Sequence, residues 1–228
     1  MNYWIVICIL LFIGTTVALV WIGKKYLGDW LNYQAYVRDS YYHNQLVGHP
    51  FPCISLQTSQ GDTLQTNFSS KKGGLILIFE PMSCQRCLEL LLNTLQHIQS
   101  NMKDTAEFSI YGIAIDTPRT VLSNYRRVFK IKYQLGVPLQ ENILPTRLVN
   151  STPIVFLVDS NNTILQAHNP TIGREQFSAL FFYSLVFNHL PFLEVSIEGF
   201  DDSPLGKLKG GSILEIIKGN YDRDSLFW

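Results

Sequence analysis

Two cysteines separated by two residues follow a continuous apolar run and begin a stretch with helical periodicity. The apolar run extends from Leu75 to Phe79, and the cysteines are Cys84 and Cys87. Such a run is typical of a strand buried on both faces, and the apolar spacing over residues 87–98 predicts an amphipathic helix packed on it. We therefore expect Cys84 in the first turn of a helix, where unpaired N–H groups and the helix dipole favour the reactive thiolate.

Two structural uses of a Cys-x-x-Cys pair compete with this reactive one. A structural zinc site needs further ligands at characteristic spacing, and the remaining cysteines and histidines form no second pair of that kind. They are Cys8, Cys53, His43, His49, His97, His168 and His189. A stabilising disulfide in an oxidising compartment is the other alternative, although a junction of strand and helix is typical of redox pairs. We expect neither a metal nor a cofactor.

A long uncharged segment at the N-terminus predicts a membrane anchor. No charged residue lies between Trp4 and Ile22, and the length matches the roughly 20 residues that cross a bilayer. A cleaved signal peptide is the alternative, but the segment exceeds the usual apolar region of about 7–15 residues and no Ala-x-Ala-like site follows it. We expect a single-pass anchor that crosses the membrane with residues 4–22.

The rest of the chain predicts one globular domain without a nucleic-acid partner. Lys+Arg and Asp+Glu both number 18 among the 228 residues, and no basic stripe is present to neutralise phosphates. The predicted division is an anchor at 1–25, a juxtamembrane spacer at 26–46, a domain at 47–190 and a tail of unassigned role at 191–228.

Strands alternate with helices along the predicted domain. A turn at 59–62 predicts a β-hairpin. Further strands are predicted at 108–115, 154–158 and 163–166, and further helices at 119–129 and 173–187. By itself this alternation favours a mostly parallel α/β sheet.

A Thr-Pro pair precedes the buried strand that begins at Ile154. Because a cis bond costs little only before proline, a cis peptide bond can be held between Thr152 and Pro153. The backbone of Thr152 would then lie beside the cysteines and receive a partner peptide.

In order and spacing, these segments resemble the thioredoxin superfamily, in particular its membrane-anchored redoxin and thiol:disulfide oxidoreductase branch. That branch includes relatives of alkyl hydroperoxide reductase and thiol-specific antioxidant proteins. The resemblance extends from Val47 to Pro170 and rests on residues 47–52, 75–87, 112–116, 152–153 and 156–159. It implies an α/β fold with a central mixed sheet flanked by helices, following an N-terminal transmembrane helix.

The resemblance also implies the roles of the site residues. Cys84 would be the attacking thiol, Cys87 the resolving thiol and Pro153 the cis-proline. The protein would exchange disulfides with the thiols or disulfides of protein partners. An unidentified redox donor would be a further partner. The anchored members of this group usually face the oxidising side, so we expect the domain outside the cytoplasm, although Lys24 and Lys25 after the span argue for the opposite orientation.

Three further residues carry expectations of their own. Arg86 adds positive charge beside the helix terminus and is predicted to lower the pKa of Cys84; a solvent-directed side chain of little effect is the alternative. Glu80 could relay a proton during exchange, or be a solvated carboxylate. Cys53 is expected to be a small buried apolar side chain rather than a third redox thiol.

Two other activities compete with disulfide exchange. A thiol peroxidase would share the layout, but its Pro-x-x-x-Thr-x-x-Cys pattern is missing before both Cys84 and Cys87. A Cu(I)-handling module would use the paired thiolates as soft ligands, yet related copper chaperones have three residues between their cysteines. A scaffold that kept the fold without the activity is also open.

Overall fold

The computed structural model describes residues 3, 11–24, 27–28, 31, 45–82, 84–140, 152–170 and 175–204. By its internal contacts the chain divides into two compact units, residues 1–39 with 212–228 and residues 40–211. In the first unit, residues 11–24 are helical. Among the described residues, no helix is both long enough and apolar enough to cross a bilayer. Parts of the predicted anchor (4–10), spacer and tail (205–228) lie outside the described residues.

The second unit contains a seven-stranded sheet and its helices. The strands are β1 Ser55–Thr58, β2 Thr63–Gln65, β3 Gly73–Phe79, β4 Phe108–Ala114, β5 Gln134–Pro138, β6 Ile154–Asp159 and β7 Ile164–His168. The α-helices are α1 Gln85–Asn101, α2 Arg119–Val128, α3 Glu175–Ser184 and α4 Leu190–Phe192. A π-helix, Leu185–His189, joins α3 to α4, and a 3-10 turn follows at Phe200–Asp202.

The sheet is mixed, with strand order β2-β1-β5-β4-β3-β6-β7. Strands β3, β4 and β5 are parallel to one another, whereas all other neighbours pair antiparallel. The expectation of a mostly parallel sheet is therefore wrong. The short connections explain part of the difference. Strands β1 and β2, and likewise β6 and β7, are joined by tight turns, which only antiparallel neighbours allow. The mixed central sheet that the resemblance implies is confirmed.

The central strand β3 is buried along its whole length. Ile76 and Ile78 belong to a core cluster on one face of the sheet, together with Phe156 of β6. Because side chains alternate along a strand, Phe79 lies on the opposite face, where its ring contacts Tyr125 of α2 at 5.7 Å. Right-handed connections between parallel strands place α1 on that same face.

The predicted helices and strands occur near their expected positions, with one omission and one change of form. Strand β5 was not predicted. The closing helix ends as an α-helix at Ser184 and continues as a π-helix. Pro191 follows directly in α4, and a proline has no N–H to bond one turn back, which favours the wider helix before it.

Candidate active site

Cys84 is the N-cap of α1, as the sequence predicts. Its Sγ accepts a hydrogen bond from the backbone N–H of Cys87 at 3.1 Å. That N–H is one of the donors that a helix start leaves without a partner inside the helix. Sulfur at this position therefore lies against backbone donors and the positive end of the helix dipole, both of which stabilise negative charge.

Cys84 and Cys87 are joined by a disulfide whose Cα atoms lie 5.3 Å apart. The two cysteines differ in exposure. Cys84 is half-buried, whereas Cys87 is 5 % exposed and packs in the core side of α1. An incoming thiolate or disulfide from another molecule can therefore approach Cys84 more readily than Cys87.

Thr152 and Pro153 lie at the C-terminal end of β3, where the chain leaves the sheet toward Cys84. The register places Ile154, the first residue of β6, opposite Ile78 near the end of β3. Because these strands are antiparallel, the residues that precede β6 lie beside those that follow β3. The peptide bond between Thr152 and Pro153 is cis, as predicted. Pro153 is buried and Thr152 is half-buried.

Arg86, between the two cysteines, forms an ion pair that the sequence did not indicate. Its Nη2 lies 3.1 Å from Oε1 of Glu175. The Arg86 side chain is 78 % exposed and the Glu175 side chain 21 %. Glu175 occupies the first turn of α3, and an acidic residue at a predicted helix start was the available signal for it. The pair brings α1 and α3 together at their N-termini.

Cys53 is exposed, so the expectation of a small buried side chain is wrong. It lies two residues before β1, in which inward and outward side chains alternate. Ile54 and Leu56 are fully buried, and the period of two therefore directs Cys53 away from the core. Its thiol is accessible in the folded chain.

The remaining predicted site residue, Glu80, directly follows β3 and is half-buried. It therefore lies at the same sheet edge as the cysteines. Within the part of the chain that the structure describes, no group of three or more His, Cys, Asp or Glu side chains is arranged to hold a metal ion. The chemistry available at this edge is that of the two sulfurs and the nearby charged side chains.

No family model and no curated protein matches the sequence. Solved structures with a similar fold include proteins named as thiol:disulfide oxidoreductases or disulfide isomerases. A candidate protein disulfide isomerase from Bacteroides thetaiotaomicron is 17% identical over 65% of this chain and 94% of its own, with a TM-score of 0.50. A thiol:disulfide interchange protein from a Bacteroides species is 17% identical over 63% and 93%, with a TM-score of 0.47. The thioredoxin domain of a thiol-disulfide oxidoreductase from Bacteroides vulgatus is 18% identical over 60% and 96%, with a TM-score of 0.44. The chain has a thioredoxin-like fold.

Proposed function

We propose that this protein is a thiol:disulfide oxidoreductase that exchanges disulfides with protein partners through Cys84 and Cys87. The observation that supports this most is the asymmetry of the pair. The more exposed cysteine, Cys84, caps a helix that stabilises its thiolate, and the second cysteine is buried one turn later. Exchange requires this arrangement, since one thiolate must reach a partner and the other must displace it.

In the reducing direction, the thiolate of Cys84 attacks a disulfide of the partner and forms a mixed disulfide, releasing one partner thiolate. Cys87 then gives up its proton and attacks the Cys84 sulfur, which releases the second partner thiolate. Two electrons pass to the partner, and the chain is left with the Cys84–Cys87 disulfide. The same steps in reverse oxidise a partner dithiol.

The backbone of Thr152 gives a partner peptide a place to dock. Thr152 is half-buried and lies beside the C-terminal end of β3, from which the chain continues to Cys84. Its backbone polar groups can therefore pair with an extended chain. A substrate held there would present its disulfide to the accessible sulfur.

Reduction of insulin by dithiothreitol tests the activity with the full chain in detergent. We expect catalysis by the parent protein, none by Cys84→Ser, and accumulation of a mixed disulfide by Cys87→Ser, which lacks the resolving thiol. A parent rate equal to that of Cys84→Ser would refute the proposal. Turnover of hydrogen peroxide without insulin reduction would instead identify a peroxidase, and tight anaerobic Cu(I) binding without either activity would identify a copper module.

We further propose that residues 4–22 anchor the domain on the extracytoplasmic side of a membrane, where an unidentified donor supplies its electrons. The uncharged segment supports the anchor, and within it the described side chains of residues 11–22 are exposed. Cys53 is a natural probe of the orientation because its thiol is accessible.

The orientation is tested by labelling intact cells with a membrane-impermeant maleimide. With Cys84 and Cys87 both replaced by serine, we expect Cys53 to react without permeabilisation. The same variant with Cys53→Ser should remain unlabelled and is the matched control. Labelling that requires permeabilised cells would place the domain in the cytoplasm, as Lys24 and Lys25 suggest.

A further inference from the structure

We propose that Glu175 is a positioning residue that holds Arg86 and offsets its charge, and thereby sets how strongly the thiolate of Cys84 is stabilised. This inference rests on the proposed function and deepens it, since it concerns the redox balance of the same pair. It starts from the ion pair between Arg86 Nη2 and Glu175 Oε1, 3.1 Å apart.

Arg86 is the second residue of α1 and lies in the first turn, which Cys84 caps. A positive charge there adds to the field of the helix N-terminus and favours a thiolate at the cap. By itself, however, a long arginine side chain in solvent has many conformations and a strongly screened charge. What Arg86 contributes at Cys84 therefore depends on what holds its guanidinium group.

Glu175 is the more fixed member of the pair. Its side chain is only 21 % exposed, against 78 % for Arg86, and it lies in the first turn of α3, where the helix dipole stabilises a carboxylate. Helix α3 is in turn anchored by buried side chains such as Phe177 and Phe181. The flexible guanidinium group is therefore held by a carboxylate on a fixed element.

The pair places nearly zero net charge beside the cysteines. Arg86 alone would leave a positive charge there that is mobile and screened but not offset by a carboxylate. Reduction of the disulfide consumes two electrons, taken from a partner dithiol, and one proton, and it yields the Cys84 thiolate and the Cys87 thiol. A positive charge nearby stabilises the thiolate and hence the reduced form. Glu175 therefore makes the dithiol less stable, and the chain a weaker oxidant, than Arg86 alone would.

Other charged groups near the start of α1 stay constant in this comparison. Glu80 follows β3, and Glu89 lies on the exposed side of α1. Because neither is part of the ion pair, Glu89→Gln is a matched control that removes a carboxylate from the same helix.

The test measures the thiol pKa of Cys84, from its alkylation rate against pH, and the equilibrium of the pair with glutathione. For Glu175→Gln we expect a lower pKa and a two- to fivefold smaller equilibrium constant for disulfide formation, about the size of a partly exposed ion-pair effect. Arg86→Gln should raise the pKa. In the Arg86→Gln background the Glu175→Gln change should shift the pKa of Cys84 less, because Glu175 then has no guanidinium group to hold.

Further variants separate charge from structure. Glu175→Asp keeps the carboxylate and should stay near the parent in pKa, and added salt should shrink the Glu175→Gln shift. An unchanged or raised pKa in Glu175→Gln with a parental unfolding midpoint would overturn the inference, as would an equal shift in the Arg86→Gln background. These readouts need no protein substrate, so absent insulin reduction with an intact pKa shift would count against the proposed function alone.

Discussion

At the scale of single residues, the pattern around the cysteines could be predicted because it is local. A buried strand, a Cys-x-x-Cys pair and an apolar helical period are contiguous in the sequence, and together they place Cys84 at a helix start. Glu175 could not be assigned to Arg86 in the same way. The two are far apart in the sequence, and their contact depends on how α3 packs against α1, which no local pattern specifies.

Gly74 in β3 shows how closely the sheet is packed at the residue scale. A Cβ there would collide with the ring of Phe68 and with the backbone oxygen of Ser109 on β4. We expect Gly74→Ala to lower the free energy of unfolding by about 3 kcal/mol, at the upper end of the usual cost of overpacking. Urea unfolding of the full chain in detergent measures it.

Gly112 in β4 is the matched control for Gly74. A Cβ there would approach the end of the Leu135 side chain at 2.6 Å and the Tyr133 ring at 3.4 Å. Since Leu135 can rotate, we expect a loss of only about 1 kcal/mol. Equal losses for the two alanine variants would show that the contacts of Gly74 with Phe68 and the backbone are not what restricts this position.

At the scale of elements, helices and strands with a regular spacing of apolar residues could be predicted, whereas those without such a spacing could not. Helix α1 carries a regular apolar stripe, whereas β5 is short and contains Gly136 and Pro138, which weaken a strand pattern. The π-helix at Leu185–His189 has the same apolar composition as an α-helix. Pro191 beyond its end favours the wider helix, and apolar periodicity alone does not predict that effect.

The start of α1 gives a prediction at this scale that is independent of catalysis. Because Sγ of Cys84 caps the helix, replacing it by serine, a good capping residue, should preserve the cap, whereas alanine removes it. Both variants lose the disulfide equally, so their difference isolates the cap. We expect Cys84→Ser to be more stable than Cys84→Ala by about 1 kcal/mol in chemical unfolding.

Stability differences within error would mean that the cysteine side chain does not support the helix start. In that case the thiolate would receive less stabilisation from the backbone donors than the geometry suggests. The measurement is made under reducing conditions, so that Cys87 is a thiol in both variants.

At the scale of the whole molecule, the order of elements was predictable but the pairing of distant strands was not. The unit from β3 through α1 to β4, followed by the β6 to β7 hairpin and α3, follows from successive patterns along the chain. The pairing of β1 with β5 joins segments that are remote in sequence, and alternation shows which face of a strand is buried without showing which strand lies beside it.

The segment after α4, which lies beyond the predicted domain boundary at residue 190, contacts two helices of the domain. Phe200 is 6 % exposed, and its ring meets Tyr183 of α3 edge-on at 5.3 Å. The ring of His97 on α1 donates a hydrogen bond to the carbonyl oxygen of Gly199 at 2.8 Å. The segment that the sequence assigned to a tail therefore contacts both α1 and α3.

Phe200→Ala should accordingly lower the free energy of unfolding by about 3 kcal/mol, since it removes a buried aromatic ring and leaves a cavity beside Tyr183. Phe192→Ala, at the last residue of α4, is the matched control. Phe192 is 79 % exposed, so its loss should change stability by less than about 0.5 kcal/mol. Chemical unfolding of the full chain in detergent distinguishes them. If both variants unfold like the parent, the contacts of Phe200 contribute nothing to the folded unit and the boundary at residue 190 stands; a loss confined to Phe200→Ala extends the folded unit to the 3-10 turn at Phe200–Asp202.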